Sequence, residues 1–279
     1  MSYAVVLQHV PHEGPGRIVP VLKDFGIPVE VRHLYKGDEV PSDLDEIRIL
    51  IVLGGPMGVA DVGNAKYPFL AKELEVLKLC VQQDRAVLGI CLGAQLLAGA
   101  AGAKVYPNVK AVPPAPPAKE GETPPPKPDP VYLPEFGWAP VTFPFPGGTE
   151  PIVMGMIDNS PMFHWHNDTF DLPKLPGPPN PAPPPAPPPP TGNALLSSSR
   201  LCRNQAFRFK NRLFGFQYHF ELTKEGIAQM VEGDKENALR VLGAEGVAKI
   251  STDTERFFPR YDRQGRKLLE NFVQFLRAY

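Results

Sequence analysis

The stretch Ala86-Val87-Leu88-Gly89-Ile90-Cys91-Leu92-Gly93-Ala94-Gln95 joins an apolar strand, a nucleophile flanked by glycines and the start of a helix. The residues up to Ile90 are apolar without alternation, which suits a strand buried on both faces, and Ala94 to Ala101 favours helix. A strand that turns at once into a helix strains its corner residue, and side chains two positions away on either side would collide. Glycines at 89 and 93 therefore mark a nucleophile elbow with Cys91 at its corner. That corner is a helix N-terminus, where the dipole and free N–H groups are expected to lower the thiol pKa. The uncharged run from Ala86 to Ala103 approaches spanning length and holds Gly89 and Gly93 at G-x-x-x-G spacing. Its Gly and Ala content, Gln95, and the lack of basic or aromatic flanks argue against a membrane span.

Working outward, further apolar, β-branched runs occur at Ala4 to Leu7, Val29 to Leu34 and Ile47 to Leu53, with helical spacing at Ile18 to Phe25 and Phe69 to Val81. This βαβ alternation predicts an α/β domain with a mostly parallel sheet covered by helices. Ligands bind at the carboxyl ends of such strands, which directs attention to the loops after the third and fourth. Later, Gln205 to Phe209 and Leu213 to Tyr218 flank a turn at Asn211 and read as a hairpin. From Thr223, a plausible N-cap, the chain reads as helices to residue 279, with Leu268, Leu269, Phe272, Phe275 and Leu276 packing the last one on the body.

The tracts 113–130 and 173–190 hold 21 of the chain's 36 prolines. Neither suits a helix or central strand, so both are expected to be solvated insertions, with short strands and turns between them. One domain spanning 1–279 with these insertions is the expected organisation. A net charge of −1 provides no basic field for nucleic acid or anionic lipid, so small-molecule or protein partners are expected. The N-terminus runs straight into its first strand without a basic leader, which reads as cytoplasmic. Three cysteines without metal-ligand spacing argue against a disulfide framework and leave one free to be a reactive thiol. Cys80, on an amphipathic helix, and Cys202, in a polar turn, read as ordinary cysteines.

A cysteine nucleophile needs a base. His219 ends an apolar strand and Glu221 follows two residues on, so in extended backbone both project to one side and the carboxylate can orient the imidazole. A surface histidine beside a solvated glutamate fits the same spacing. The loop Gly54-Gly55-Pro56-Met57-Gly58 follows a buried strand. Its N–H groups, with that of Leu92, can face a developing oxyanion, although a plain βα turn fits equally. His164-x-His166 has metal-like spacing, but the sequence shows no Cys or carboxylate cluster to complete a site, so no metal and no cofactor are expected.

The segments Gly89 to Ala98, Gly54 to Gly58, Phe163 to Phe170 and Phe214 to Glu221 resemble the motifs of class I glutamine amidotransferases. In particular they are similar to those of stand-alone members related to the amidotransferase domain of GMP synthetase. The resemblance implies a flavodoxin-like fold in which Cys91 attacks the glutamine amide. His219 then protonates ammonia and activates water against the thioester, with Glu221 orienting it. It further implies Gly55 and Leu92 as the oxyanion hole, and Gly54, Gln95, His166 and Asp168 about the substrate. The chain departs from the family pattern in the proline-rich insertion before Glu135-Phe136-Gly137-Trp138 and in the one after Pro173. Without a G-x-x-x-x-G-K loop the chain is expected to pass ammonia to a separate synthase. A γ-glutamyl peptide hydrolase with the same triad is the alternative. From other classes come a non-catalytic binding module working through its proline tracts, and a thiol-redox role for Cys91 that would not need Glu221.

Overall fold

The computed structural model describes residues 2–110, 129–174 and 192–278. In chain order these form β1 (Tyr3–Gln8), α1 (Ile18–Asp24), β2 (Val29–His33), β3 (Ile47–Val52), α2 (Phe69–Gln83), β4 (Val87–Ile90), α3 (Leu92–Ala100) and β5 (Val105–Pro107). They continue as β6 (Glu135–Val141), β7 (Ser160–His166), β8 (Asp168–Phe170), β9 (Asn193–Ser197), β10 (Ala206–Phe209), β11 (Leu213–Phe216), α4 (Lys224–Gly233) and α5 (Lys235–Ala278), the last broken at Gly243. The tracts at 113–128 and 175–190 lie outside the described residues.

The main sheet has the order β2-β1-β3-β4-β11-β10-β9; the pairs from β2 through β11 are parallel, and β10 runs antiparallel to both its neighbours. The unbroken apolar runs have a direct cause. Ala4 and Val6 of β1, Ile49 and Ile51 of β3, and Leu88 and Ile90 of β4 face a core shared with α1, α4 and α5. The alternate residues Val5, Leu7, Leu50, Val52 and Val87 face a second core with α2 and α3. With both faces covered, period-2 alternation has no polar side to show. Two small antiparallel pairs, β5-β8 and β6-β7, flank this sheet.

Thr223 caps α4, its side chain accepting from Gly226 N–H at 3.0 Å. In α5, Leu268, Leu269 and Phe272 are buried, and Phe272 and Phe275 meet the Phe214 ring edge-on. Each fully buried apolar side chain contributes about 1.5–3 kcal/mol, enough to hold a helix whose other faces are charged. The stretch Ala86 to Ala103 divides into β4, a corner and α3, and no helix among the described residues is long and apolar enough to cross a membrane.

The site is positioned by strand order. Because β4 and β11 pair in parallel, with Ile90 opposite Phe216, the residues that follow them emerge side by side. The ends of β1 and β3 adjoin the same edge of the sheet.

Candidate active site

Cys91 sits between β4 and α3 at φ 53°, ψ −109°. A side chain on Gly89 would meet the Gly93 carbonyl at 2.5–2.6 Å, and one on Gly93 would meet Val52. Only glycines let this corner close, and it holds the thiol above the sheet. Cys91 N–H donates to Phe216 O at 2.8 Å, which ties the corner to β11. Beyond β11, His219 N–H donates to Phe163 O at 2.8 Å, anchoring the histidine segment to β7.

His219 Nδ1 lies 2.7 Å from Glu221 Oε1, and Glu221 Oε2 accepts Phe220 N–H at 2.9 Å. Both side chains are buried, which removes the reading of a surface histidine with a solvated glutamate. A carboxylate can only accept, so Nδ1 carries the proton toward it. Nε2 has no hydrogen-bond partner among the described residues. The Cys91 thiol points at Trp165 O, 3.5 Å away, and Gln217 Nε2 approaches its sulfur at 3.7 Å. Burial disfavours the His219 imidazolium, but the Glu221 carboxylate and the Cys91 sulfur outweigh it and hold the pKa well above 6.5. Burial also pushes the Cys91 thiol up, with His219 and the Leu92 N–H pulling it back only in part. This corrects the expectation of a lowered thiol pKa: at 5 % exposure the lost hydration of a thiolate outweighs the helix N-terminus.

A pocket of about 310 Å³ opens over Cys91, Gly55, Gln95, His166 and Asp168. The Gly55 and Leu92 N–H groups make no backbone hydrogen bonds among the described residues. Gln95 is oriented by donation to Gln217 Oε1 at 3.2 Å. Gly54 and Leu92 do not line the pocket. Gly54 O accepts from His9 Nδ1 at 2.8 Å, and His9 Nε2 lies 3.0 Å from the buried Glu73 carboxylate. Both ring nitrogens of His9 thus face acceptors. Burial works against its protonation, yet Glu73 prevails and raises its pKa above 6.5. The absent side chain of Gly54 leaves room that the Glu13 carboxylate and the His219 ring occupy.

The expectation that no carboxylate completes a cluster around His164 and His166 is corrected. Register places Glu135 of β6 directly opposite His166 of β7, and the three side chains form a buried group that could hold a metal ion. Glu135 already accepts from Ser199 Oγ at 2.6 Å and from Gln205 Nε2, and lies 3.2 Å from His166 Nε2. Burial raises its pKa, but His166, His164 and Ser199 outweigh burial, for a net depression. His164 is pushed down to about 4 by burial. Ser199 and Gln205 make Glu135 a hydrogen-bonded hub beside His166, whose Nε2 takes no hydrogen bond and whose ring is held by Nδ1, 2.9 Å from Asp168 O.

Sequence reasoning missed Glu13, Asp234 and Asn237, which also line the pocket. Glu13 had a signal: it lies in the Gly14- and Gly16-containing loop at the carboxyl end of β1. Asp234 and Asn237 come from the junction of α4 and α5, which no local pattern relates to the strands.

The chain is similar to known proteins over most of its length. The family model "Glutamine amidotransferase class-I" matches residues 16–231. The glutamine amidotransferase-like protein YfeJ of Salmonella typhimurium is 25% identical over 262 residues, covering 93% of this chain and 91% of the relative. A glutamine amidotransferase structure from Thermotoga maritima superposes with a TM-score of 0.74 at 23% identity, covering 98% of each chain. A structure from Thermoplasma acidophilum, described as a GMP synthase subunit, gives a TM-score of 0.56 at 19% identity, covering 100% of this chain and 96% of that one. At these identities the two structures speak to the fold, a flavodoxin-like one with a mostly parallel sheet between helices. With the match spanning most of its length, this chain belongs to the class-I glutamine amidotransferase family.

Proposed function

We propose that the chain is a glutaminase that releases ammonia from glutamine through Cys91, His219 and Glu221. The observation that carries the reading is the buried 2.7 Å contact between His219 and Glu221, with Nε2 left without a hydrogen-bond partner and the imidazole interacting with the strained-corner Cys91 thiol. Cys91 attacks the side-chain carbonyl carbon, and the oxyanion forms between the N–H groups of Gly55 and Leu92. His219 passes its proton to the leaving nitrogen, the C–N bond breaks, and a glutamyl thioester remains. Water, deprotonated by the now neutral His219, then releases glutamate and restores the thiol. Glu221 holds the ring in one tautomer and stabilises its charged form. Gln95, Asp168 and His166 position the glutamyl part, and Gly54 leaves the room beside Cys91 that the His219 ring needs.

The ammonia acceptor in this reading is a separate synthase; the fold-level likeness to a GMP synthase subunit is consistent with such an arrangement. Ammonia and glutamate release from glutamine by the purified chain, with Cys91→Ala as control, tests the proposal. Cys91-dependent release supports it. Release that survives the substitution, or none with any amide substrate, rejects it.

A further inference from the structure

Glu13 is 6 % exposed and lines the pocket, yet no hydrogen-bond donor among the described residues reaches its carboxylate. One of its oxygens stands where Gly54 lacks a side chain. A Cβ placed there would also lie 3.0 Å from His219 Cε1 and 3.4 Å from Cys91 Cβ. Glu13 thus stands beside the His219 ring with no protein donor on its carboxylate among the described residues, its oxygens open to the pocket. Asp234, which accepts from Trp165 Nε1 at 2.9 Å and Asn237 Nδ2 at 3.0 Å, lines the same pocket and acts electrostatically on Glu13. No lysine or arginine lines the pocket among the described residues. Burial raises the Glu13 pKa to about 7, while His219 and His9 draw it down.

Resting on the glutaminase reading, in which His219 hands its proton to the departing nitrogen, we infer that Glu13 and Asp234 form an acidic leaving-group wall. The wall selects glutamine and γ-glutamyl amides of simple or cationic amines against γ-glutamyl peptides. The chemistry is that of one water consumed per amide: the C–N bond breaks, the amine leaves with the His219 proton, and it becomes a cation by taking a second proton from the Glu13 carboxyl or from water. A cation beside Glu13 and Asp234 meets opposite charge. The amino acid released from a γ-glutamyl peptide carries a carboxylate close to its nitrogen and brings like charge into a buried site, where repulsion is costly. This separates the glutaminase from the peptide hydrolase that the triad alone leaves open.

The test compares kcat/KM for γ-glutamylethylamide and γ-glutamylglycine, by glutamate release, in the full chain and in its Glu13→Gln, Glu13→Asp and Asp234→Asn variants. The native chain prefers the ethylamide, Glu13→Gln compresses the ratio by about tenfold, and Glu13→Asp, which keeps the charge, retains it. Asp234→Asn shifts the ratio in the same direction as Glu13→Gln and serves where that variant folds poorly. The same two ligands titrated calorimetrically into the Cys91→Ala chain report the preference without turnover. Their discrimination, lost in Glu13→Gln, supports the wall even if hydrolysis fails, which would count against the glutaminase reading alone. A native preference for γ-glutamylglycine, or a ratio that neither Glu13→Gln nor Asp234→Asn moves, overturns the inference.

Discussion

Glu221 takes two donors at once, the Nδ1–H of His219 and the N–H of Phe220, so the carboxylate cannot swing without losing one of them. The pKa of His219 is held up against burial chiefly by this charge. In the proposed mechanism the reactive form carries one proton on the Cys91–His219 pair. Activity should therefore rise with pH along a limb that lies well above the range of an ordinary imidazole. Glu221→Gln removes the largest raising influence and leaves burial, which lowers the pKa. The ascending limb should move to lower pH while the maximal rate falls by about a hundredfold or more. A pH–rate profile of both proteins checks this; a limb that stays in place would show that Glu221 does not set the charge of His219. Glu13 also faces His219, and burial raises its pKa to about 7, so the profile is best repeated in Glu13→Gln, where one group fewer contributes.

The extended segment from His219 to Leu222 is locked between α1 and α5. Arg17 donates to Phe220 O, to Leu222 O at 2.7 Å and to Asp262 at 3.0 Å, and stacks on the Tyr261 ring at 4.7 Å. Arg17 N–H also donates to Glu221 O at 2.8 Å. Arg17→Ala would leave carbonyls in a buried setting without donors, at a cost of about 2–4 kcal/mol, and would loosen the histidine segment. The expected result is a lower Tm together with a reduced kcat; an unchanged Tm would show that the clamp contributes nothing. Elements such as this explain what could be read in advance. The elbow was legible because Gly89, Cys91 and Gly93 are neighbours whose sterics are local, and Thr223 was legible as a cap for the same reason. Glu135 was not, because it meets His166 only through the β6–β7 register. Arg17 gave no signal because its partners lie more than 200 residues away. The raised thiol pKa followed from depth of burial, which the sequence around Cys91 does not state.

Across the whole molecule, the parallel sheet, its two covered faces and the hairpin that extends it were foreseeable from apolar runs and their spacing. The arrangement of β5 to β8 was not, since short strands there are set by pairing over long separations. The chain leaves this region toward the first proline tract through a closed neck: Lys110 N–H donates to Val131 O and Leu133 N–H to Asn108 O, each at 2.8 Å. A neck closed by its own hydrogen bonds makes the body insensitive to what it carries, because loop-closure entropy changes slowly with length. Replacing residues 113–128 by a short Gly/Ser link should leave Tm within about 2 °C and glutamine turnover within about twofold. Loss of activity with an unchanged Tm would instead give the tract a working part, as the binding-module reading requires.

In the proposed mechanism Cys91 carries the glutamyl group through each turnover. Acid-quenching the chain during turnover of glutamine and locating the adduct by peptide mass spectrometry tests it most directly. One glutamyl residue is expected on Cys91, absent in Cys91→Ala and absent from Cys80 and Cys202. Turnover without an adduct on Cys91, or an adduct on either other cysteine that persists in Cys91→Ala, would contradict it.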